Sequence, residues 1–180
     1  SDWSSDVCSS DLLAVANVIR NMGLDARIKW PNDVRINGKK VCGILTEAKA
    51  EVDRVDYVVL GIGINVNMDL KDIPESFRAG STTLKAELGS HIKRVSFLQD
   101  FLFELEQQYI LFKTQPFSHI LNDWLALSDT IGREVKVTTP SRIIEGKAVG
   151  ITPDGALVIR KADDTKEEII AGRCIYARSK

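Results

Sequence analysis

The sequence predicts an α+β fold, with a sheet and helices in residues 13–127 and a small all-β domain in residues 128–180. Three observations support this prediction. Apolar residues recur at helical spacing after Leu13 and again after Ser96. A valine-rich run in residues 56–60 has the composition of a buried strand. In about the last fifty residues, short alternating runs are separated by turn signals.

The first predicted elements alternate helix and strand. Residues 13–22 place apolar side chains three or four positions apart, which predicts a helix that Gly23 ends. Residues 26–29 are predicted to begin a strand, and Asn37-Gly38 is the strongest short signal for a hairpin. The charged residues 47–53 are predicted to lie at a strand end or in a loop.

The middle of the chain predicts a loop and then further helices. Residues 68–80 mix charge, proline and glycine without periodicity, so we predict a loop there. A short capped helix is predicted to follow and to end near Gly89. Ser96 is predicted to cap a long amphipathic helix that Pro116 ends. The apolar stripe of this helix is predicted to pack in the core and consists of Leu98, Phe101, Leu102, Leu105, Tyr109 and Phe112.

The last part of the chain predicts several short strands. Val135 and Val137 alternate with charged residues, and residues 153–155 read Pro-Asp-Gly, which is a strong turn signal. About fifty residues of this kind predict a small SH3-like β-barrel.

The composition excludes several classes of function. The formal net charge is −1, so the chain lacks the basic footprint of a protein that binds nucleic acid or an anionic membrane. No apolar run approaches membrane-spanning length, and no signal peptide is evident. Three cysteines without metal-type spacing suit a reducing compartment. We therefore predict a cytoplasmic location and neither a membrane nor a nucleic acid as partner.

The segment from Lys29 to Glu47 concentrates polar side chains around two short apolar runs. It begins with Lys-Trp-Pro-Asn-Asp, in which the proline leaves Asn32 and Asp33 at a strand end or bend. After the predicted hairpin, the chain continues through Lys40 into a Gly-Ile-Leu run. A glycine among strand residues suggests that another group, such as a ligand, approaches the backbone closely.

Two ordered motifs resemble the catalytic core of biotin protein ligases. Residues 29–47 hold Lys-Trp-Pro-Asn-Asp and then Lys-x-x-Gly-Ile-Leu-x-Glu, and residues 61–65 read Gly-Ile-Gly-Ile-Asn. The resemblance implies a class II synthetase-like mixed sheet with helices, followed by the SH3-like barrel. It also implies an enzyme that activates biotin with ATP and Mg²⁺. The biotin would then pass to a lysine of a biotin carboxyl carrier protein, and a homodimer is left open.

The resemblance also implies roles for individual residues. Lys40 matches the catalytic lysine that contacts the biotin carboxylate and the adenylate phosphate, and a cation suits a step in which negative charge accumulates. The implied biotin-binding positions are Lys40, Gly43, Ile44, Leu45, Gly61 and Gly63. The implied ATP-binding or adenylate-binding positions are Lys29, Asn32, Asp33 and Asn65. Asp33 and Asn65 are also implied as Mg²⁺ ligands, since hard cations prefer oxygen.

Several of these residues have structural alternatives that the sequence leaves open. Lys29 could equally be a solvated strand end, and Asn32 and Asp33 could satisfy backbone groups at the bend. Lys39 is predicted to be a plain surface lysine. Glu47 is predicted to be structural or part of a dimer edge.

Residues 1–12 differ in character from the rest of the chain. They are rich in serine and aspartate and show neither helical nor strand periodicity. Back-translated, they resemble a common sequencing-adapter oligonucleotide read in frame. The hypothesis is that this segment is an assembly artefact, and the alternative is a disordered tail. The family's upstream loop over biotin and adenylate does not occur here, so we expect a fragment with weak or no activity.

Two other functions stay open. A lipoate ligase-like enzyme shares the fold and the lysine-based adenylation that the resemblance implies. A non-catalytic relic that senses or binds biotin is the second alternative. The Gly-Ile-Leu-x-Glu run and the predicted barrel argue against the lipoate ligase, whereas the missing upstream loop keeps the relic open.

Overall fold

The computed structural model describes residues 3–51 and 54–177, and the side chains of residues 10–47 and 57–177. The first helix is followed by a four-stranded sheet, then by helices, and finally by a five-stranded sheet. The first part consists of α1 (Trp3–Asn21), β1 (Ala26–Lys29), β2 (Asp33–Ile36), β3 (Lys39–Glu51) and β4 (Arg54–Ile64). The α+β prediction is confirmed.

The strands of the first sheet pair in the order β1-β2-β3-β4, and every pairing is antiparallel. The named strands therefore form no parallel pair, and the mixed sheet that the resemblance implies stays a prediction. The physical reason for the antiparallel pairing is that short turns connect successive strands, whereas a parallel pair needs a long crossover. Parallel contacts among the described residues are isolated bridges, Ile28 with Ser128 and Lys40 with Ser81.

The β2–β3 hairpin turns where the sequence predicts. Asn37 and Gly38 both have positive φ angles, 51° and 75°, as a two-residue turn matched to strand twist requires. The strand prediction for residues 26–29 is also confirmed. Of the strand end or loop predicted for residues 47–53, the strand end is confirmed for residues 47–51, because β3 continues to Glu51 in its ladder with β4. Residues 52–53 lie outside the described residues.

One face of the first sheet forms the core with α1. The helix ends at Asn21, and Gly23 follows with a φ of +87°, as predicted. Alternate strand residues point toward the helix, so β1, β2 and β3 contribute fully buried residues and β4 contributes partly buried ones. The buried residues of this layer include Leu12, Leu13, Val15, Ile19, Ile28, Val34, Ile36, Val41 and Ile44. The opposite face of the sheet is open and carries the polar residues of the sequence motifs.

Helix α1 begins ten residues earlier than the sequence suggests. The expected absence of structure before residue 13 is wrong for residues 3–12, because the helix starts at Trp3. This stretch contains neither glycine nor proline, and Ser10, Asp11 and Leu12 are buried. Packing thus overrides weak periodicity. Whether residues 1–12 are an artefact stays a hypothesis.

Two short helices follow β4. The predicted loop of residues 68–80 holds a 3₁₀ turn at Leu70–Asp72 and a one-turn helix, α2 (Glu75–Arg78). The predicted capped helix is confirmed as α3 (Leu84–Leu88). Its cap is Thr83, whose Oγ1 accepts a hydrogen bond from the backbone N–H of Ala86 at 3.1 Å.

Helix α4 (Arg94–Thr114) partly contradicts the sequence prediction. It begins at Arg94, with Lys93 and not Ser96 at the cap, and it ends before Pro116 as predicted. The buried side chains of α4 are Phe97, Phe101 and Gln108. Leu98, Leu102 and Tyr109 of the predicted core stripe are exposed. Apolar side chains occupy two neighbouring stripes of this helix, and periodicity does not tell which of them faces α1.

The second sheet follows α5 (Phe117–Leu127). Its strands are β5 (Glu134–Thr138), β6 (Ile143–Ile151), β7 (Leu157–Arg160), β8 (Lys166–Ile169) and β9 (Arg173–Tyr176). The all-β prediction is confirmed. The strand order is β8-β7-β6-β5-β9, so β8 and β9 are edges of an open sheet in the described chain. The barrel is not confirmed, and the boundary at residues 127 and 128 stays a prediction. Among the helices described, none is long and apolar enough to cross a membrane.

Candidate functional site

The open face of the first sheet brings the predicted site residues into one row. Lys29 pairs with Asp33, Asp33 with Gly43, and Gly43 with Gly63. Directly paired residues of antiparallel strands point to the same face. Leu45 belongs to this face as well, paired with Gly61 in the next row. The sequence motifs thus share one surface, because strand register aligns residues that are far apart in sequence.

A β-bulge places Lys40 on this face. The register between β2 and β3 shifts at Val34 and Arg35, so that Val34 pairs with Cys42 and Arg35 with Lys40. Val41 and Cys42 are consecutive and both buried, which regular alternation would not permit. The extra residue turns Lys40 toward the same side as Asp33 and Gly43.

Lys40 and Asp33 form the charged centre of the site. The Nζ atom of Lys40 lies 2.5 Å from Oδ1 of Asp33, and their side chains are 43% and 18% exposed. The carboxylate therefore holds the ammonium group on the open face while leaving part of it accessible to solvent. Such an ammonium group can neutralise phosphate or carboxylate charge.

Gly43 gives the lysine side chain its space. A Cβ atom at residue 43 would lie 2.6 Å from Nζ and 2.8 Å from Cε of Lys40, and 3.7 Å from Oδ1 of Asp33. The first two distances are too short for non-bonded contact, so Lys40 would have to move. Glycine at this position is therefore explained by the lysine that packs over it.

Replacing Gly43 by alanine is expected to displace the Lys40 ammonium group from Asp33. Because the clash involves the end of a flexible side chain, the free energy of unfolding should change by less than about 1 kcal/mol. Crystal structures would give the Lys40–Asp33 distance, and thermal unfolding would give the stability. Gly150→Ala is the matched control, since a Cβ there meets nothing within 4 Å. An unmoved Lys40 in the Gly43→Ala variant would contradict this explanation.

Gly61, Gly63 and Leu45 form a shallow apolar surface beside the charged centre. A Cβ on Gly61 would come no closer than 3.5 Å to Leu45, and one on Gly63 no closer than 3.8 Å to Gly43. Internal packing therefore does not require glycine at either position. Leu45 is 62% exposed although it is a large apolar side chain. These features favour a surface that an apolar ligand approaches.

The predicted site residues Ile44 and Asn32 serve the fold. The Ile44 side chain is 2% exposed and points to the core face, so the structure contradicts a side-chain contact with a ligand there. The alternation of β3 is the physical reason, because Gly43 and Leu45 occupy the open face. The side-chain amide of Asn32 donates to the backbone carbonyl of Ile44 at 2.7 Å. The backbone N–H of Ile44 donates to the backbone carbonyl of Asn32 at 2.9 Å.

The segment after Asn65 forms the second wall of the site. The Lys40 N–H donates to the carbonyl of Gly80, and the Lys40 carbonyl accepts from the N–H of Thr82, both at 2.8 Å. The Asn65 amide donates to the carbonyl of Thr82 at 3.1 Å. These bonds fix the segment against the start of β3. Asn65 therefore holds the wall in place as well as lining the site.

A pocket of about 190 Å³ lies between this wall and the sheet. Its lining residues are Lys40, Val41, Cys42, Gly43, Gly63, Asn65, Phe77 and Ser81. Phe77 and Ser81 were missed by sequence reasoning. Phe77 is 65% exposed on α2, and the only sequence signal was an aromatic residue in a predicted loop. The pocket is smaller than most ligand sites, so the described residues cover only part of a nucleotide-sized molecule.

Lys29 shares the row with Asp33 but contacts the second sheet. Its Nζ atom donates to the carbonyl of Cys174 at 2.6 Å. Burial lowers the pKa of Lys29, an effect that the nearby Asp33 carboxylate partly offsets. The solvated strand end considered for Lys29 is therefore wrong. Its ammonium group lies at the junction of the two sheets.

The described residues contain no cluster of three or more His, Cys, Asp or Glu side chains that could hold a metal ion. Asp33 already binds the Lys40 ammonium group through Oδ1. Mg²⁺ commonly binds through one or two carboxylates together with substrate phosphates. Asp33 therefore fits an ion that a triphosphate brings with it.

Comparison with known proteins places the chain in a family. Residues 5–65 match the Biotin/lipoate A/B protein ligase family, and residues 130–176 match the Biotin protein ligase C terminal domain. The chain belongs to the biotin protein ligase family. The implied family is thus confirmed, although the first match begins at residue 5, inside the segment of uncertain origin.

Several relatives of this member of the biotin protein ligase family are named as ligases. It is 38% identical over 160 residues to the bifunctional ligase/repressor BirA of Bacillus subtilis, covering 87% of this chain and 49% of that relative. It is 33% identical over 138 residues to the biotin--[acetyl-CoA-carboxylase] ligase of Paracoccus denitrificans, covering 74% and 56%. The chain therefore spans about half the length of these curated relatives.

Solved structures of biotin protein ligases share the fold. The biotin protein ligase from Aquifex aeolicus in complex with biotin and ATP matches with a TM-score of 0.81 at 28% identity. The match covers 97% of this chain and 72% of that chain. The order of the two sheets is therefore that of a biotin protein ligase over almost the whole chain.

Proposed function

We propose that the open face activates biotin with ATP to form biotinyl-adenylate and then supports transfer to a biotin carboxyl carrier protein. The single observation that carries this proposal is the Lys40 ammonium group, held by Asp33 above Gly43 on the accessible face. Membership of the biotin protein ligase family supports the choice of biotin. The relative named biotin--[acetyl-CoA-carboxylase] ligase supports a carboxylase carrier domain as acceptor.

The proposed reaction has two steps. In the first, an oxygen of the biotin carboxylate attacks the α-phosphorus of ATP, and the bond to the β-phosphate breaks to release pyrophosphate. In the second, the amine of an acceptor lysine attacks the acyl carbon, loses a proton and expels AMP. Both steps concentrate negative charge, so a fixed cation stabilises their transition states.

We assign the two parts of the open face to the two substrates. Leu45, Gly61 and Gly63 offer an apolar surface without protruding Cβ atoms at the glycines, which suits the ring system of biotin. Lys40 lies between this surface and the pocket that Phe77 lines, so it can contact the carboxylate and the α-phosphate together. Mg²⁺, held mainly by the triphosphate, would neutralise charge on the leaving pyrophosphate, with Asp33 as a protein ligand.

Further proposals follow from the family. We propose that the second sheet belongs to a small SH3-like barrel, which its five short antiparallel strands support. The weak or absent activity expected from the sequence stays a prediction. The homodimer and the cytoplasmic location stay predictions.

Pyrophosphate exchange tests the proposed function. The chain is incubated with ATP, Mg²⁺ and labelled pyrophosphate, with biotin, lipoate or neither added. Label should enter ATP only with biotin, because adenylate formation is reversible. Exchange with lipoate alone would favour the lipoate ligase-like alternative, which the first family match also covers. Biotin binding without exchange would favour the non-catalytic relic.

A further inference from the structure

Three cations surround one tyrosine at the junction of the two sheets. The ring centroid of Tyr176 lies 4.8 Å from Cζ of Arg133, 5.4 Å from Cζ of Arg35 and 5.6 Å from Nζ of Lys29. Arg35 and Lys29 lie on the open face of the first sheet, whereas Tyr176 ends the last strand of the second. These distances are within the range of cation–π attraction.

Hydrogen bonds hold the tyrosine in this place. Its hydroxyl lies 3.2 Å from Oγ1 of Thr130, a fully buried residue. The same Oγ1 atom accepts the backbone N–H of Trp30 at 3.0 Å. The Trp30 ring N–H donates to the carbonyl of Gly155 at 3.2 Å, in the second sheet's half of the chain. Hydrogen bonds therefore join the two parts of the chain at Trp30, the residue next to Lys29.

One residue, Asp33, connects the junction to the charged centre. Lys29 and Asp33 are cross-strand partners, and Asp33 binds Lys40. A change in the position of the Lys29 charge therefore acts on the carboxylate that holds Lys40. The Nε atom of Arg35 is buried without a hydrogen-bond partner. The positive charge of its guanidinium group is balanced by the Tyr176 ring and by Asp129, whose Oδ2 atom lies 3.8 Å from Nη1 of Arg35.

We infer that Tyr176 is a positioning residue. Its ring lets docking of the second sheet fix Lys29 and Arg35 beside Asp33 and Lys40, where the proposed function places the α-phosphate of ATP. The tyrosine itself contacts no reacting group. Its ring holds the two cations where they add to the field of Lys40. Coupling of this kind is reciprocal, so nucleotide binding should in turn tighten the junction. The nucleotide part of this inference rests on the proposed function.

Tyr176→Leu and Tyr176→Phe test the inference in the full chain. Tyr176→Leu removes the ring, and we expect the KM for ATP in pyrophosphate exchange to rise about five-fold or more, with a smaller change in kcat. Tyr176→Phe keeps the ring and should stay closer to the wild type. In NMR titration of the Lys29 ammonium group, Tyr176→Leu should lower the pKa further below its ordinary value, because leucine keeps the site apolar and removes the attraction of the ring for the charged form.

Tyr109→Leu is the matched control. Tyr109 lies on α4, and the Nζ atom of Lys113 is 5.6 Å from its ring, the same distance as in the Lys29–Tyr176 pair. Equal effects of Tyr109→Leu and Tyr176→Leu on KM would overturn the inference. If the wild type forms no adenylate, the proposed function fails. The Lys29 titration then decides alone, and an unchanged pKa in folded Tyr176→Leu would refute the positioning role.

Discussion

Replacing Lys40 by methionine is expected to reduce biotin-dependent pyrophosphate exchange about 100-fold or more, the usual cost of removing one group that stabilises developing negative charge. Methionine keeps an unbranched apolar side chain about as long as the lysine stem and lacks the ammonium group. The free energy of unfolding should change by no more than about 1 kcal/mol, because the Lys40–Asp33 pair is partly exposed. Exchange kinetics and thermal unfolding measure the two quantities separately.

Lys39→Met is the control for this experiment. Lys39 is the adjacent residue, is exposed, and lies at the hairpin turn away from the pocket lining. Its replacement should leave exchange unchanged. Equal losses in the Lys39→Met and Lys40→Met variants would show that the general charge of the hairpin matters, and not the ammonium group beside Asp33. Full activity of Lys40→Met would remove Lys40 from the proposed mechanism.

Replacing Asp11 by leucine is expected to stabilise the protein at pH 8. Asp11 is 4% exposed within the core layer of α1, and its Oδ2 atom has no hydrogen-bond partner. Burial raises the pKa of Asp11 from 3.8 to about 7. Each pKa unit corresponds to about 1.4 kcal/mol, so the ionised carboxylate costs about 4 kcal/mol of stability above pH 7.

The pH dependence gives this prediction its sign. The folded-state pKa lies above the unfolded value, so the folded state binds the proton more tightly. The stability contributed by this proton is complete below about pH 4 and is lost as the pH rises through 7. The difference in unfolding free energy between Asp11→Leu and the wild type should therefore grow between pH 4 and pH 8. Urea denaturation at several pH values measures it.

Asp123→Leu on α5 is the control for Asp11→Leu, since Asp123 is exposed. Its effect should stay within about 0.5 kcal/mol at every pH. If Asp11→Leu gains no more stability at pH 8 than at pH 4, the buried carboxylate is not ionised in the way described. A buried aspartate without a full set of partners is also what the artefact hypothesis for residues 1–12 expects, and that hypothesis stays open.

Local signals in the sequence were enough to predict the framework of the site. Asn37-Gly38 placed the hairpin, because few residues tolerate two successive positive φ angles. Gly23 marked the end of α1 through equally local chemistry. The motif residues could be assigned to one site through the resemblance. Register then brought Lys29, Asp33, Gly43 and Gly63 into a row, which no single strand encodes.

Other features depend on contacts that sequence patterns do not contain. Lys29 bonds to the carbonyl of Cys174, 145 positions away, so its location at the sheet junction could not be inferred from its neighbours. Ile44 was assigned to the pocket together with its neighbours Gly43 and Leu45, but its side chain alternates to the core face. Phe77 was missed, since an aromatic residue in an irregular segment does not show which way it points. The direction of a side chain is a tertiary property in each case.

The bulge opposite Val34 and Arg35 makes the site depend on the number of residues between Lys40 and Gly43 as well as on residue identities. Lys40 and Gly43 point the same way only because one extra position separates them in the ladder. In a regular ladder, residues three positions apart point to opposite faces, so without the bulge Lys40 would point into the core whenever Gly43 stays on the open face. Comparisons among homologues of this chain should therefore score the spacing of residues 40–43 before the residues themselves.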